Sequence, residues 1–140
     1  MSLVTNWHAH PKADITLPVW NNCTITVNTD GTRTYHPSGS DTFSPFFKMG
    51  GTMLTTDTCI CAIRFRETGP VQVESGSIVR DGEKDGLWVY EASPATDNIQ
   101  PAFSGPDQLT PLALAIYTPE DWQTLQTLGV YFFDKDTAAY

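Results

Sequence analysis

The amino-acid sequence predicts an all-β fold, a jelly-roll β-sandwich with one short C-terminal helix before the last strand. Apolar and polar residues alternate with a period of two in several short segments, as in strands that bury one face. Ten Gly and ten Pro residues are spread along the chain and supply turn signals between these segments. A helical pattern with capping residues stands out once, close to the carboxyl end. About eight strands with a single helix are typical of a two-sheet sandwich.

The first two segments predict a hairpin. CTITVNT, residues 23–29, alternates between apolar and polar side chains. Asp30 and Gly31 follow as a strong turn signal, and TRTYHP, residues 32–37, returns as the partner strand. The side chains expected on the apolar face are Cys23, Ile25 and Val27.

The next two segments predict more apolar strands. FSPFFKM, residues 43–49, contains Pro45, which indicates an edge strand or a bulge. TCICAIRFRE, residues 58–67, is the longest predicted strand. The side chains expected on one of its faces are Cys59, Cys61, Ile63 and Phe65, and those on the other are Ile60, Ala62, Arg64 and Arg66.

Shorter patterns complete the predicted sheets. VQVES, residues 71–75, and a short run around Ile78 predict two strands. GLWVYEAS, residues 86–93, predicts a strand with large side chains on both faces. These are Leu87 and Val89 on one face and Trp88 and Tyr90 on the other. IQPAFSG, residues 99–105, predicts a short edge strand, and LTPLALAIYT, residues 109–118, predicts the next apolar strand.

A helix follows. Thr118 suits the N-cap, Pro119 the first helical position, and Asp121 the place of the acidic residue in a variant capping box. Gly129 is the expected residue after the helix. The predicted buried stripe consists of Trp122, Leu125 and Leu128. An apolar strand ending in YFFDKDT, residues 131–137, is expected to close the fold.

Composition favours a single domain over residues 1–140. The hydrophobic fraction of 40% is enough for a core. A net charge of −8 leaves no electrostatic footprint for nucleic-acid binding. No window approaches the roughly 18 apolar residues that span a bilayer, and the first residues lack the pattern of a signal peptide. We therefore expect synthesis in a cytosol and no insertion into membranes.

The sequence predicts no enzyme activity. It contains no G-x-S-x-G elbow, no H-E-x-x-H pattern and no P-loop. Cys59 and Cys61 are two residues apart on one strand, which favours burial as inert thiols. Complete pairing of three cysteines within one chain is impossible, and a disulfide between Cys23 and Cys59 is not expected in a reducing compartment.

A metal site is not predicted either. His8 and His10 form an H-x-H pattern that could ligate zinc or nickel. No third ligand follows at a recognisable spacing, and His36 lies elsewhere in the chain. In a symmetric oligomer, several copies of one His could meet at a subunit contact.

Five stretches, taken in order, carry a resemblance to known proteins. They are LVTN (3–6), Trp20, TITVNTDGTRTYHPSG (24–39), ETGPVQV (67–73) and YFFDKDT (131–137). Together they are similar to jelly-roll modules in minor tail proteins of phages that infect actinobacteria, which are related to galactose-binding-like, carbohydrate-binding jelly rolls. The likeness covers nearly the whole chain.

This chain departs from the family pattern at both ends. NWHAHP, residues 6–11, replaces the usual Asn-Pro near the start, and the closing motif has an extra Phe. Lys135 stands there in place of a usual Gly, which lowers the tolerance for positive φ. These differences affect loop geometry more than the fold.

The resemblance implies a non-enzymatic virion structural protein, a minor tail or tail-tip subunit made in the host bacterial cytoplasm. Its partners would be other virion proteins and copies of itself. The alternatives are a carbohydrate-binding module for host cell-surface glycan and a capsid decoration protein. Sugar-binding relatives often hold a structural calcium near their last strands, so Asp134 and Asp136 are either turn residues or part of such a site. No other cofactor is implied.

Three aromatic residues are the candidates for glycan or partner binding. Trp88 and Tyr90 lie two apart on one strand face and could stack on sugar rings, or they could be core residues of the sandwich. Trp20, like Trp7, could line a contact between subunits or plug the end of the sandwich.

Overall fold

The computed structural model describes residues 3–8, 10–17, 19–20, 23–37, 46–48, 58–67, 72–74, 77–80, 82, 84–92, 102–104, 108–129, 131–132 and 137–139. Over these ranges the chain is mostly β, with one short helix close to the carboxyl end. The strands are β1 (Leu3–Thr5), β2 (Val19–Trp20), β3 (Cys23–Val27), β4 (Arg33–Pro37), β5 (Phe46–Lys48), β6 (Cys59–Phe65), β7 (Gln72–Glu74), β8 (Ser77–Arg80), β9 (Leu87–Ala92), β10 (Ala102–Ser104), β11 (Pro111–Tyr117) and β12 (Thr137–Ala139). The helix α1 (Pro119–Leu128) lies between β11 and β12. The all-β prediction is thereby confirmed at this level.

Four strands form the main sheet, in the spatial order β11-β6-β9-β8, and each neighbouring pair is antiparallel. β6 lies inside this sheet and is buried along its length except at Arg64, which is half-buried. Because β6 is covered on both faces, its period-two pattern distributes apolar side chains between two separate clusters. The predicted division of residues 58–67 between two faces is confirmed for the apolar positions.

On one face of the main sheet, α1 and β1 cover the helix-side core. Its members are Val4, Ile60, Ala62, Leu87, Val89, Ala115, Tyr117, Trp122 and Leu125. Trp122 stacks on Tyr117 with 6.3 Å between ring centroids, and Tyr131 packs beside Trp122 at 5.5 Å. The Tyr117 hydroxyl donates to the carbonyl of Tyr131 at 2.5 Å, so the segment after the helix is held against the same core.

On the other face, the β3–β4 hairpin and the segment before β2 cover the hairpin-side core. Its members are Ala13, Leu17, Tyr35, Cys59, Cys61, Ile63, Phe65, Trp88, Tyr90, Ala92, Leu109, Leu114 and Ile116. Leu87 and Val89 thus face the helix, while Trp88 and Tyr90 face the hairpin, as predicted for β9. Full burial of each large side chain contributes about 2–3 kcal/mol, so these two clusters account for much of the fold's stability.

Capping residues set both ends of α1. The Thr118 side chain accepts a hydrogen bond from the backbone N–H of Asp121 at 3.2 Å, and Gly129 ends the helix with φ 71°. Both caps were predicted, and so was the burial of Trp122 and Leu125. The prediction is wrong for Leu128, which is 51% exposed. Each three-residue step turns a helix about 60° short of a full rotation, so Leu128 lies about 120° around the axis from Trp122.

The predicted hairpin is confirmed. β3 pairs with β4 around a turn in which Gly31 has φ 91°, a conformation that favours glycine. Tyr35 of β4 exchanges backbone hydrogen bonds with Leu109 at 2.8 and 2.9 Å, which joins the hairpin to the start of β11. Val27 lies at the turn end of the hairpin and is 63% exposed, although its strand face is the apolar one.

A second sheet has the order β2-β5-β10-β7, again antiparallel. β10 corresponds to the short edge strand predicted over residues 99–105. The edge assignment is wrong, because β10 lies between β5 and β7. Pro45, on which an edge or bulge was predicted, lies outside the described residues.

The closing strand lies later than predicted. Tyr131 and Phe132 have no strand structure; they pack beside the helix-side core instead. The last strand is β12, which pairs antiparallel with β1. The prediction misplaced it because Thr-Ala-Ala lacks the alternation of apolar and polar side chains that identifies a strand. The apolar run before it has more of the features of a strand. Within the described ranges, no helix is long and apolar enough to cross a membrane.

Candidate functional site

One edge of the main sheet is covered by the segment that follows β1. Trp7 N–H donates to the carbonyl of Ile116 at 2.9 Å, and Leu114 N–H donates to the carbonyl of Pro11 at 3.0 Å. Between them the Asn6 side chain, 2% exposed, donates to the carbonyl of Leu114 and accepts from the N–H of Ile116, both at 3.0 Å. The hydrogen-bonding needs of these outward-facing backbone N–H and C=O groups of β11 are therefore met by an irregular segment and by the Asn6 side-chain amide, which substitutes for a peptide group.

The opposite edge of the main sheet is β8, and it carries exposed apolar side chains. Ile78 is 53% and Val79 51% exposed. Ile78 pairs with Tyr90 and Arg80 pairs with Val89, so Val79 is an extra residue in a β-bulge. We call the four residues Ser77, Ile78, Val79 and Arg80 the β8 edge. Two adjacent exposed apolar side chains on an outer strand make the β8 edge a candidate contact surface.

The turn after β8 fixes the position of this edge. The Arg80 guanidinium makes a two-pronged contact with the Asp85 carboxylate at 3.0 and 2.5 Å and also donates to the carbonyl of Leu87. The backbone N–H of Leu87 donates to Asp85 at 3.1 Å. The hydrogen bond from Arg80, followed by that from Leu87, lowers the pKa of Asp85 to about 2. Arg80 is thus held by its own hairpin rather than offered to a partner.

Close backbone packing supports the same turn. Gly86 has φ 75°, and a Cβ at this position would lie 2.4 Å from the carbonyl oxygen of Phe65. A Cβ on Gly82 would lie 2.5 Å from the Trp88 ring. Both positions therefore require glycine, and the β8–β9 turn is tightly packed.

The predicted aromatic site is not an open platform. Trp88 is 6% exposed and Tyr90 is fully buried, and their rings stack at 6.4 Å within the hairpin-side core. Burial raises the pKa of the Tyr90 hydroxyl. In this conformation neither ring has a face available to a sugar or a partner, which corresponds to the core alternative. Trp20 lies in β2, and its side chain is outside the described part of the structure.

The histidine pattern has a structural place. His8 is 3% exposed, and its Nδ1 accepts a hydrogen bond from the backbone N–H of His10 at 3.1 Å. His10 Nδ1 lies 3.8 Å from the Asp14 carboxylate. Among the described residues, no group of three or more His, Cys, Asp and Glu side chains could hold a metal ion. The calcium alternative at Asp134 and Asp136 falls outside the described residues.

The cysteines have the environment of core residues. Cys59 and Cys61 are fully buried with 3.9 Å between their Sγ atoms, Cys23 is half-buried, and all three are free thiols. The hydrogen bond to Cys59, together with burial, raises the pKa of the Cys61 thiol. Burial also raises the pKa of Cys23. The hydrogen bond from Cys61 lowers the pKa of the Cys59 thiol, but that thiol is fully buried. For Cys23 and Cys61, the raised pKa disfavours the thiolate that nucleophilic catalysis needs.

A polar network links the hairpin turn to the main sheet. Asp30 accepts hydrogen bonds from the side chain and the N–H of Thr32, at 2.6 and 3.0 Å, and its other oxygen lies 2.8 Å from the Arg66 guanidinium. The bonds from Thr32, then that from Arg66, lower the pKa of Asp30. Glu67 accepts from the N–H and the hydroxyl of Thr110 at 2.6 and 2.9 Å. These carboxylates have a structural role, because they hold neighbouring segments of the chain together.

Sequence reasoning identified a short strand around Ile78 but not its exposure. The available signal of exposure was that Ile78 and Val79 are adjacent apolar residues inside a polar run. Two consecutive strand residues point to opposite faces unless a bulge intervenes.

Comparison with protein-family models, curated proteins and solved structures found no match to this chain.

Proposed function

We propose that this chain is a non-enzymatic structural subunit of a phage particle, a minor tail or tail-tip protein that acts by assembly. The observation that carries the proposal is the β8 edge, where Ile78 and Val79 are exposed on one outer strand while the segment around Asn6 covers the other. Subunits that assemble need one such uncovered apolar surface, and contacts of this kind bury it.

The environment of the described titratable groups supports a role without catalysis. Asp85 and Asp30 form ion pairs with arginines of neighbouring segments, and Glu67 anchors a backbone turn. Cys61 is buried with a raised pKa. The three carboxylates each stabilise a turn or a contact between segments, and the adjacent thiols of Cys59 and Cys61 are fully buried, where a substrate does not reach them.

We further propose that residues 1–140 form one jelly-roll sandwich. The antiparallel pairing of the described strands fits that architecture. The order of motifs that resembles phage tail modules points the same way. Partners would then include other virion proteins and copies of this chain.

Purified particles provide the test. Particles of the phage whose genome carries this sequence would be banded in a density gradient, and peptides of this chain would be quantified against a known tail protein. We expect a constant ratio to tail protein across the band and across preparations. Recovery of the chain only in the unbanded lysate would contradict the proposal.

A glycan-binding role has less support, because two of its three candidate rings, Trp88 and Tyr90, are buried. Retention of the folded chain on host cell-wall polysaccharide would be needed to revive it.

A further inference from the structure

A short segment closes the outer edge of β11, and we call this segment, residues 6–11, the cover. Leu114 and Ile116 point their backbone N–H and C=O groups outward, and the cover forms hydrogen bonds with all four groups. An outer strand whose backbone groups are left open is a surface with which another strand can pair. The cover therefore determines whether this edge of the main sheet is available.

His8 lies at the centre of the cover. Its backbone N–H donates to the side-chain oxygen of Asn6 at 3.0 Å, and its Nδ1 accepts from the backbone N–H of His10 at 3.1 Å. The carbonyl of His10 accepts from the N–H of Ala13 at 3.0 Å, which closes the turn after the cover. The imidazole thus joins the amide that holds β11 to the turn that leads into the hairpin-side core.

These contacts determine the protonation state of the His8 ring. A backbone N–H can only donate, so Nδ1 carries no proton and the ring is neutral. The residue is 3% exposed. A proton on Nδ1 would turn it into a donor that faces another donor, and it would place a charge where little water reaches. Both effects disfavour the closed cover.

The neighbouring His10 responds to acid with the opposite sign. Its ring lies edge-on to that of His8, with 6.4 Å between the centroids, and its Nδ1 is 3.8 Å from the Asp14 carboxylate. A proton on His10 strengthens the contact with Asp14 only slightly, because both side chains are about half exposed. A charged His10 also opposes a charge on His8. An experiment on the cover must therefore separate the two histidines.

The other elements packed around this part of the chain contact it at its two ends. Among the described residues, Asp121 of α1 accepts a hydrogen bond from the backbone of β1. Tyr35 and Arg33 of β4 bond residues 16–17. The titratable side chain on β11 is Tyr117, whose hydroxyl bonds on the helix side, and the described strand β12 has no ionisable side chain.

We propose that His8 makes the cover acid-sensitive, so that protonation of its ring opens the outer edge of β11. An imidazole in water takes up its proton near about pH 6.5. The closed cover excludes the charged ring and the open cover admits it. The closed form is therefore fully stable above this pH and loses stability as the pH falls below it. This inference does not depend on the proposed role in a phage particle.

Hydrogen exchange of the full chain measures the opening. The amides of Leu114 and Ile116 donate to the cover, so their protection factors report on it. If one proton binds to the open form alone, protection should fall about thirtyfold between about pH 8 and pH 5. It should also stay at least about tenfold below that of the β6 amides in the sheet interior, because the cover opens while the sheet stays folded.

His8→Asn is the variant that tests the role of the ring. Asparagine keeps a side-chain oxygen that can accept from the His10 N–H, and it does not titrate. In this variant, protection at Leu114 and Ile116 should change by less than about threefold over the same pH range. His10→Asn is the matched control and should keep most of the wild-type pH dependence, since His10 acts with the opposite sign.

Nitrogen NMR of the wild-type ring adds a measurement that needs no variant. It should show an unprotonated Nδ1 and a protonated Nε2 on His8 at neutral pH. A proton on Nδ1 would overturn the inference. So would protection at Leu114 and Ile116 that equals that of β6 or does not change with pH, and so would a pH dependence that persists in His8→Asn.

Discussion

Asn6 provides a direct test of how the first segment holds the main sheet. Its side chain accepts hydrogen bonds from the N–H groups of His8 and Ile116 and donates to the carbonyl of Leu114, each at 3.0 Å. Asn6→Ala leaves three buried backbone groups without these bonds, at about 1–3 kcal/mol each when no substitute is found. Water entering the vacated space would replace some of them, so we expect a loss of about 3 kcal/mol.

The free energy of unfolding would be measured by urea titration, followed by far-UV circular dichroism. Gln123→Ala, on the exposed side of α1, is the control and should change stability by less than about 0.5 kcal/mol. Hydrogen exchange at the Ile116 amide should accelerate in Asn6→Ala, because that amide loses its acceptor. A loss below about 1 kcal/mol with an unchanged Ile116 exchange rate would refute the reasoning.

Three further predictions concern turns and charges. Asp85→Asn should lose the ion pair with Arg80. In the folded wild type the pKa of Asp85 is lowered to about 2, so the ion pair stabilises the fold fully above the ordinary pKa of an aspartate. This stabilisation fades as the pH falls toward about 2. The difference in unfolding free energy between wild type and variant, a few tenths to about 1 kcal/mol for an exposed pair, should therefore be constant at neutral pH and shrink below about pH 4; a difference that grows on acidification would contradict this. Ala13, 3% exposed with φ 55°, should tolerate Gly within about 1 kcal/mol, because relief of strain offsets the lost methyl group, while Ala13→Val should cost at least about 2 kcal/mol; equal thermal midpoints for Gly and Val would refute the assignment. Gly86→Ala should destabilise by about 2 kcal/mol more than Gly31→Ala, since both have positive φ but only the first has backbone within 3 Å of the new Cβ; similar losses in denaturant titrations would show that the β8–β9 turn is not tightly packed.

Local signals predicted the local structure well. The caps of α1, Thr118 and Gly129, depend on residues a few positions apart, and the structure confirms both. The alternation in β6 likewise predicted which side chains face each core. The Asp30-Gly31 turn needed only its own two residues. Each of these features depends on residues that lie close together in the sequence.

Features decided by distant contacts were missed. β12 is identified by its partner β1, which lies at the other end of the chain, and Thr-Ala-Ala itself has no strand pattern. The interior position of β10 depends on the order of strands in the sheet, which no local pattern contains. Asn6 is an ordinary polar residue in sequence, and only the fold places its amide against β11.

The candidate site followed the same division. The alternation of β9 placed Trp88 and Tyr90 on one face, and the core alternative came from the large core area that aromatic side chains supply. The exposure of Ile78 and Val79, by contrast, follows from the position of β8 at the sheet edge and from its bulge. A sequence pattern that marks apolar residues does not indicate which of them remain uncovered, because that depends on neighbouring strands.

A reconstruction of the intact phage particle by electron cryo-microscopy tests the central claim most directly. The account predicts density for this subunit in the tail, with Ile78 and Val79 of β8 buried against a neighbouring protein chain. A particle that lacks this subunit, or one in which β8 faces solvent at every copy, would contradict it.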